Sequence, residues 1–210
     1  RFSLISLRWY KPREVVDMRK KKILFVASEA VPFASSGGLG DVIGSLPAAL
    51  QKSSEGELDV RVIMPLYGSM KDEHRASLKK LCETYINLSW RRQYCGVFEA
   101  HMDGVIYYLI DNQYYFKRDG LYGHFDDAER FAFFSRAVLE IIPYIDFKPD
   151  IINANDWQAG LVPVYYDIHY ANNEWYKGIK TVFTIHNIQY QGQYSREICE
   201  DVLGITPDKY

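Results

Sequence analysis

The sequence predicts an α/β fold, a Rossmann-like parallel sheet with helices on both faces and a β-hairpin insertion. Three features carry that expectation. Short apolar runs at 23–27, 58–64, 150–154 and 180–185 have the length and composition of strands buried on both faces. Segments with helical spacing of apolar residues alternate with them. Between two further strand-like segments, Asp103-Gly104 is a hairpin turn signal. With 210 residues, 48% of them apolar, the chain can bury a sizeable core as one large domain or two small ones.

The first strand, 23–27, leads into a small-residue loop, 34–40, and then a helix with Val42, Ile43, Leu46, Ala49 and Leu50 at helical spacing. Asp41 sits where a carboxylate caps free N–H groups, and Pro47 is a candidate kink. With the strand at 58–64 this makes a β-loop-α-β unit. Strand composition at 84–88, 93–101 and 105–110 marks the antiparallel insertion. A helix is expected over 126–144, with Phe131, Phe134, Val138, Leu139 and Ile142 on one face and Asp126 or Asp127 as its cap. Alternation then resumes: strand 150–154, helix 157–171, strand 180–185 and the start of a helix at 195–203. Met18, followed by Arg19 and three lysines, reads as a natural start, so 1–17 is expected to be an upstream extension or an artificial addition.

Composition excludes several classes. The net charge of -2, without a basic stripe, makes nucleic acid a poor partner. Cys82, Cys95 and Cys199 are too few and too scattered for a disulfide framework or a zinc site, which fits a reducing cytoplasm. The apolar stretch at 2–7 is too short for a signal segment, and no run approaches the roughly 20 residues that span a bilayer. No Ser, Cys or Thr is paired with a base for covalent chemistry.

In an open parallel sheet, ligands bind beyond the carboxyl ends of the strands. The polar exits are Ser35-Ser36-Gly37-Gly38, Asn155-Asp156 and His186-Asn187, all expected on one edge. Glycines opening a helix suit an anion such as a diphosphate, and equally a tight connection. The spacing Gly38-x-Gly40-x-x-x-Gly44 is a poor dinucleotide fingerprint, because the glycines come well after the strand and no ribose-binding acid ends the second one. Asp156 reads either as a helix cap or as a ligand group, and His186 either as a buried histidine or as a ligand group; together they suit a neutral polar ligand such as a sugar. The 17 tyrosines include candidate sugar platforms, though more of them suit the core.

Five ordered segments carry a resemblance: KILFVASEAVPFASSGGLGDVIGSLPAAL at 22–50, YLIDNQYYFKRDGLYG at 108–123, DDAERFAFFSRAVLE at 126–140, NANDWQAGLVP at 153–163 and TVFTIHNIQYQG at 181–192. They are similar to bacterial glycogen synthases and plant starch synthases. The resemblance implies the N-terminal, acceptor-side half of a two-domain GT-B glycosyltransferase covering 18–210, with a donor-binding C-terminal domain beyond it. The implied activity is retaining, metal-independent transfer of glucose from ADP-glucose to the non-reducing 4-hydroxyl of an α-1,4-glucan, with no cofactor. It places Gly37 and Gly38 under the diphosphate, Asp41 beside the donor, Asp156 and His186 at the catalytic centre, and Tyr122 at the substrate; Asn187, next to His186 at the same strand exit, is a further candidate for substrate binding. Ser35 and Ser36 stand where the family usually has Lys-Thr, removing a cation from the phosphates, and Gln158 stands where many members have His. The competing readings are an idle α-glucan-binding module and a related nucleotide-sugar transferase with another donor or acceptor.

Overall fold

The computed structural model describes residues 19–209. The expectations for 1–17, for the apolar stretch at 2–7 and for Met18 lie outside the described residues. Seven strands form one sheet in the order β3-β4-β5-β2-β1-β6-β7. They are β1 (Lys21–Val26), β2 (Leu58–Pro65), β3 (Lys79–Leu88), β4 (Arg91–Met102), β5 (Val105–Asp111), β6 (Ile151–Asn155) and β7 (Lys180–Thr184). The pairings β5-β2, β2-β1, β1-β6 and β6-β7 are parallel, and β3-β4 and β4-β5 are antiparallel. The insertion therefore extends one edge of the parallel sheet. Its β4-β5 turn is the expected Asp103-Gly104, at φ 51° and 78°, the left-handed pair that matches strand twist.

Leu24, Phe25 and Val26 of β1 and Val62, Ile63 and Met64 of β2 are buried in succession, so both faces of the sheet centre are covered. Cover thins at β7, where Val182 and Phe183 are each 45% exposed. The helices are α1 (Gly38–Ser53), α2 (Asp72–Ala76), α3 (Gln113–Phe116), α4 (Asp127–Ile141), α5 (Leu161–Tyr165) and α6 (Ile198–Asp201). No helix among the described residues is long and apolar enough to cross a membrane.

Several elements depart from the sequence expectation. Helix α1 starts at Gly38, so Asp41 lies in its first turn and caps nothing; Gly37 stands at the cap position. The helix runs through Pro47, whose ring removes the donor for the Ile43 carbonyl, and the Tyr107 hydroxyl approaches that carbonyl at 3.5 Å. Helix α4 ends at Ile141, and Asp126 stands at its cap position as expected, but neither its side chain nor that of Asp127 makes the capping bond. Asp126 instead takes both ends of the Arg118 guanidinium at 2.6 and 2.8 Å, and Asp127 accepts from Arg130. Helix α4 also buries more than one stripe, since Ala132, Phe133, Ala137 and Arg130 are as hidden as the expected face.

The helix expected over 157–171 breaks into a 3-10 turn (Trp157–Ala159), α5 and a π turn (Tyr166–Tyr170). Gly160 and Pro163 explain the first break, because glycine is a poor helix former and Pro163 has no N–H to give the Ala159 carbonyl four residues before it. Of the helix expected over 195–203 only α6 forms. Strand β3 begins at Lys79, earlier than its apolar composition indicates, since its outward positions are charged.

Candidate functional site

Because β1, β6 and β7 are adjacent and parallel, the exits singled out in the sequence open side by side. They surround a cavity of about 850 Å³. Ser36, Gly37, Gly38, Tyr122, Asp156, Gln158, His186 and Asn187 line it, joined by Glu29, Leu39, Val42, Gly123, Asp127, Trp157 and Tyr190. Ser35 and Asp41 are not brought in. Both are exposed; the Ser35 hydroxyl donates to the Gly37 carbonyl at 3.2 Å, and Asp41 rides the outer side of the first helical turn.

On the β1 side the organising residue is Glu29, which is 4% exposed. Its carboxylate accepts from the Ser36 N–H, from the Ser36 hydroxyl at 2.9 Å, from the Gly37 N–H at 3.2 Å and from the Tyr122 hydroxyl at 2.6 Å. The Ser28 hydroxyl lies 2.6 Å from the Tyr122 oxygen, and since the phenol proton points to Glu29, Ser28 donates. Burial, with Tyr67 and Glu29 nearby, pushes the Tyr122 phenol far up, so it stays a donor.

The loop that carries Tyr122 is anchored by Arg130, wholly buried against the Phe116 and Phe131 rings. Its guanidinium donates to the Tyr115 carbonyl at 2.7 Å, the Leu121 carbonyl at 3.1 Å and Asp127 at 2.5 Å.

The glycines divide into two kinds. A Cβ on Gly40 would lie 2.3 Å from the Ser35 hydroxyl oxygen, and one on Gly44 would lie 2.7 Å from the Val31 carbonyl, so these two serve close packing. A Cβ on Gly37 or Gly38 would meet nothing within 4 Å. The space above them is open cavity. The N–H groups of Gly38 and Leu39, at the positive end of α1, find no acceptor among the described residues.

On the β6 side Asp156 has φ 57° and ψ 177°, a backbone region that side-chain-bearing residues avoid at a cost of about 1–3 kcal/mol. The cap reading fails, because its side chain makes no bond to the turn that follows. Its Oδ1 instead accepts from the backbone N–H of His186 at 2.7 Å and of Asn187 at 3.4 Å, tying the β7 exit to the β6 exit. The other carboxylate oxygen has no partner among the described residues and belongs to a residue that lines the cavity.

His186 is exposed, so the buried-histidine reading also fails. Asn155 donates through its amide nitrogen to the Val26 carbonyl at 3.2 Å and the Asn153 carbonyl at 2.9 Å, which leaves its oxygen to accept from His186 Nε2 at 2.9 Å. In the neutral ring this network puts the proton on Nε2 and leaves Nδ1 as an acceptor.

Two features were missed in the sequence. Glu29, two residues past the strand run, was itself at a strand exit, which is a usable signal. Trp157 packs edge-on against Phe131 and close to Tyr194, and the Gly192 backbone lies so near its indole that a Cβ there would be 2.3 Å from the ring. The cavity walls hold no lysine or arginine among the described residues.

Residues 22–210 match the model of the starch synthase catalytic domain family. The chain is 49% identical over 189 residues to a glycogen synthase of Anoxybacillus flavithermus, covering 90% of this chain and 38% of that one. It is 53% identical over 184 residues to a glycogen synthase of Desulforamulus reducens, covering 88% and 38%. In structure it matches the catalytic domain of starch synthase IV from Arabidopsis thaliana bound to ADP and acarbose, with a TM-score of 0.80 and 31% identity over 90% of this chain and 38% of that one. The chain thus spans under two-fifths of the length of these relatives.

Proposed function

Because the chain belongs to the starch synthase catalytic domain family, we propose that it forms the acceptor-side half of a glycogen or starch synthase site. The reaction is retaining transfer of glucose from ADP-glucose to the non-reducing 4-hydroxyl of an α-1,4-glucan. A second, donor-binding domain completes the site. The observation that carries this reading is the open space above Gly37 and Gly38 facing the strained Asp156 across one cavity.

Each part has a task in that chemistry. Unpaired N–H groups at the start of α1 suit diphosphate oxygens. The free oxygen of Asp156 accepts a sugar hydroxyl, His186 Nδ1 accepts another, and the Asn187 amide borders the same sugar. Leu39, Val42 and Trp157 give the apolar walls that exclude water around a ring. Absence of a cation from the described walls leaves the phosphate charge to be balanced by the second domain. Such a site works in a reducing cytoplasm.

The test is incorporation of glucose from ADP-glucose into a maltooligosaccharide by the full-length protein, with UDP-glucose in parallel. Preferential α-1,4 extension from ADP-glucose is expected, and residues 1–210 alone should give none. Extension by 1–210 alone would overturn the two-domain reading. A preference for UDP-glucose would favour the related transferase with another donor, to which Ser35 and Ser36 at the usual Lys-Thr positions already point.

A further inference from the structure

An acidic side chain next to a phosphate site is at first sight a contradiction. Glu29 is nine-tenths buried, lines the cavity, and lies on the loop that would receive the anion. Its charge is nevertheless fully used inside the chain. Ser36 gives it a backbone N–H and a hydroxyl, Gly37 a backbone N–H, and Tyr122 a phenol. These are charge-assisted hydrogen bonds, the strong kind, and their number offsets the loss of water around the carboxylate.

The consequence lies in which N–H groups remain. A glycine loop before a helix offers a run of backbone donors to an incoming anion. Here Glu29 has already taken those of Ser36 and Gly37, and an anion placed on them would meet a carboxylate. The next two, on Gly38 and Leu39, are unclaimed. Tyr122, whose hydroxyl is held by Ser28 and Glu29, is tied to the loop through the carboxylate.

We infer that Glu29 is a positioning residue, a built-in anion that fixes the Ser36-Gly37 loop and thereby directs the phosphates of a nucleotide diphosphate to the N–H groups of Gly38 and Leu39. The inference rests on the nucleotide-sugar reading of the cavity for its ligand, and on the hydrogen bonds alone for the loop.

Two substitutions separate holding the loop from carrying charge. In Glu29→Gln the amide oxygen still accepts from the loop N–H groups, while its nitrogen donates to the Tyr122 oxygen, and the Tyr122 hydroxyl turns to donate to Ser28. The loop stays held without the charge. Glu29→Ala removes the anchor. In the full-length protein, hydrogen exchange at the Ser36 and Gly37 amides should rise at least about tenfold in Glu29→Ala and stay near the wild-type rate in Glu29→Gln. ADP affinity should fall about tenfold in Glu29→Ala and be kept or raised in Glu29→Gln, since a nearby negative charge has gone. Tyr122→Phe, which removes one donor and little volume, should move exchange in the same direction by less and serves if Glu29→Ala does not fold.

Unchanged amide exchange in both Glu29→Ala and Tyr122→Phe overturns the positioning role. Equal losses of ADP affinity in Glu29→Gln and Glu29→Ala overturn it too, because the charge itself would then be what the ligand needs. If wild-type protein bound no ADP while the exchange pattern appeared as stated, the nucleotide reading would fall and the anchoring of the loop by Glu29 would stand.

Discussion

At the β1 exit, side chains are spent inside the protein and backbone donors are left over; at the β6 and β7 exits the reverse holds. Glu29, Ser36 and Tyr122 bind one another and leave the N–H groups of Gly38 and Leu39. Across the cavity, the backbone N–H groups of His186 and Asn187 are consumed by Asp156, and what remains is a carboxylate oxygen and an imidazole nitrogen. Backbone donors at a helix start are fixed, positive and suited to an anion. Side-chain acceptors are suited to the hydroxyls of a neutral ring. One wall thus suits an anion and the other a neutral ring, which is the division that the proposed nucleotide-sugar site needs.

Asp156 offers the largest break of that comparison. In the full-length protein, Asp156→Ala and Asp156→Gly should both lower turnover by about a hundredfold or more, the scale of removing one preorganised polar contact. Their stabilities should differ. Glycine accepts φ 57° and ψ 177° without the strain that alanine suffers, so Asp156→Gly should exceed Asp156→Ala by about 1 kcal/mol in urea unfolding. If both variants unfold alike, the strain is not real; if activity loss merely follows the unfolding midpoint, Asp156 is only a brace for β7.

The β1 wall can be broken without touching the fold. Gly38→Ala adds a methyl where nothing lies within 4 Å, at a helical position where alanine is favoured over glycine by up to about 1 kcal/mol. The variant should be as stable as wild type or more so, yet bind ADP several-fold more weakly. Gly40→Ala should do the opposite, since its Cβ would be driven to 2.3 Å from the Ser35 hydroxyl oxygen. It should lower the unfolding midpoint first. Thermal unfolding and ADP titration of the pair would show whether the two kinds of glycine are distinct in function or only in geometry.

How much of this could be read beforehand follows from where each cause resides. The Asp103-Gly104 turn was legible because the φ values it needs are local and the residue types that adopt them are few. The buried runs of β1 and β2 were legible because continuous burial leaves a continuous apolar string. The placing of three polar exits on one edge followed from topology alone.

The place of Glu29 at a strand exit was legible, but not its burial or its bond to Tyr122, 93 residues away in sequence, which tertiary packing sets. The strain at Asp156 leaves no mark in a sequence, so the cap and the ligand group stayed open there, and the bond to the His186 backbone decides against the cap. The split of 157–171 was signalled by Gly160 and Pro163, against a periodic apolar pattern that spoke for one helix.

The smallest effect is expected at Ser35, and it sharpens the account of the phosphate wall. Ser35 is exposed and stands just outside the cavity, with its hydroxyl making a single long bond of 3.2 Å to the Gly37 carbonyl. Replacing it with lysine loses little, and the new side chain can extend over the open space above Gly37 and Gly38. A cation there would stand near the phosphate oxygens that Gly38 and Leu39 are proposed to hold, on a wall that has no cation of its own among the described residues. Because the position is exposed, water and salt weaken the attraction, which is screened over about 8 Å at physiological ionic strength. Ser35→Lys should therefore tighten ADP binding only a few-fold in dilute buffer, and the gain should vanish at about 1 M salt, where screening acts over roughly 3 Å. ADP titrations of the full-length protein at the two salt concentrations measure it. A gain that persists in high salt would mean that the lysine reaches a dry part of the cavity, and no gain in either would mean that the phosphates lie away from the start of α1, against the division of the walls proposed above.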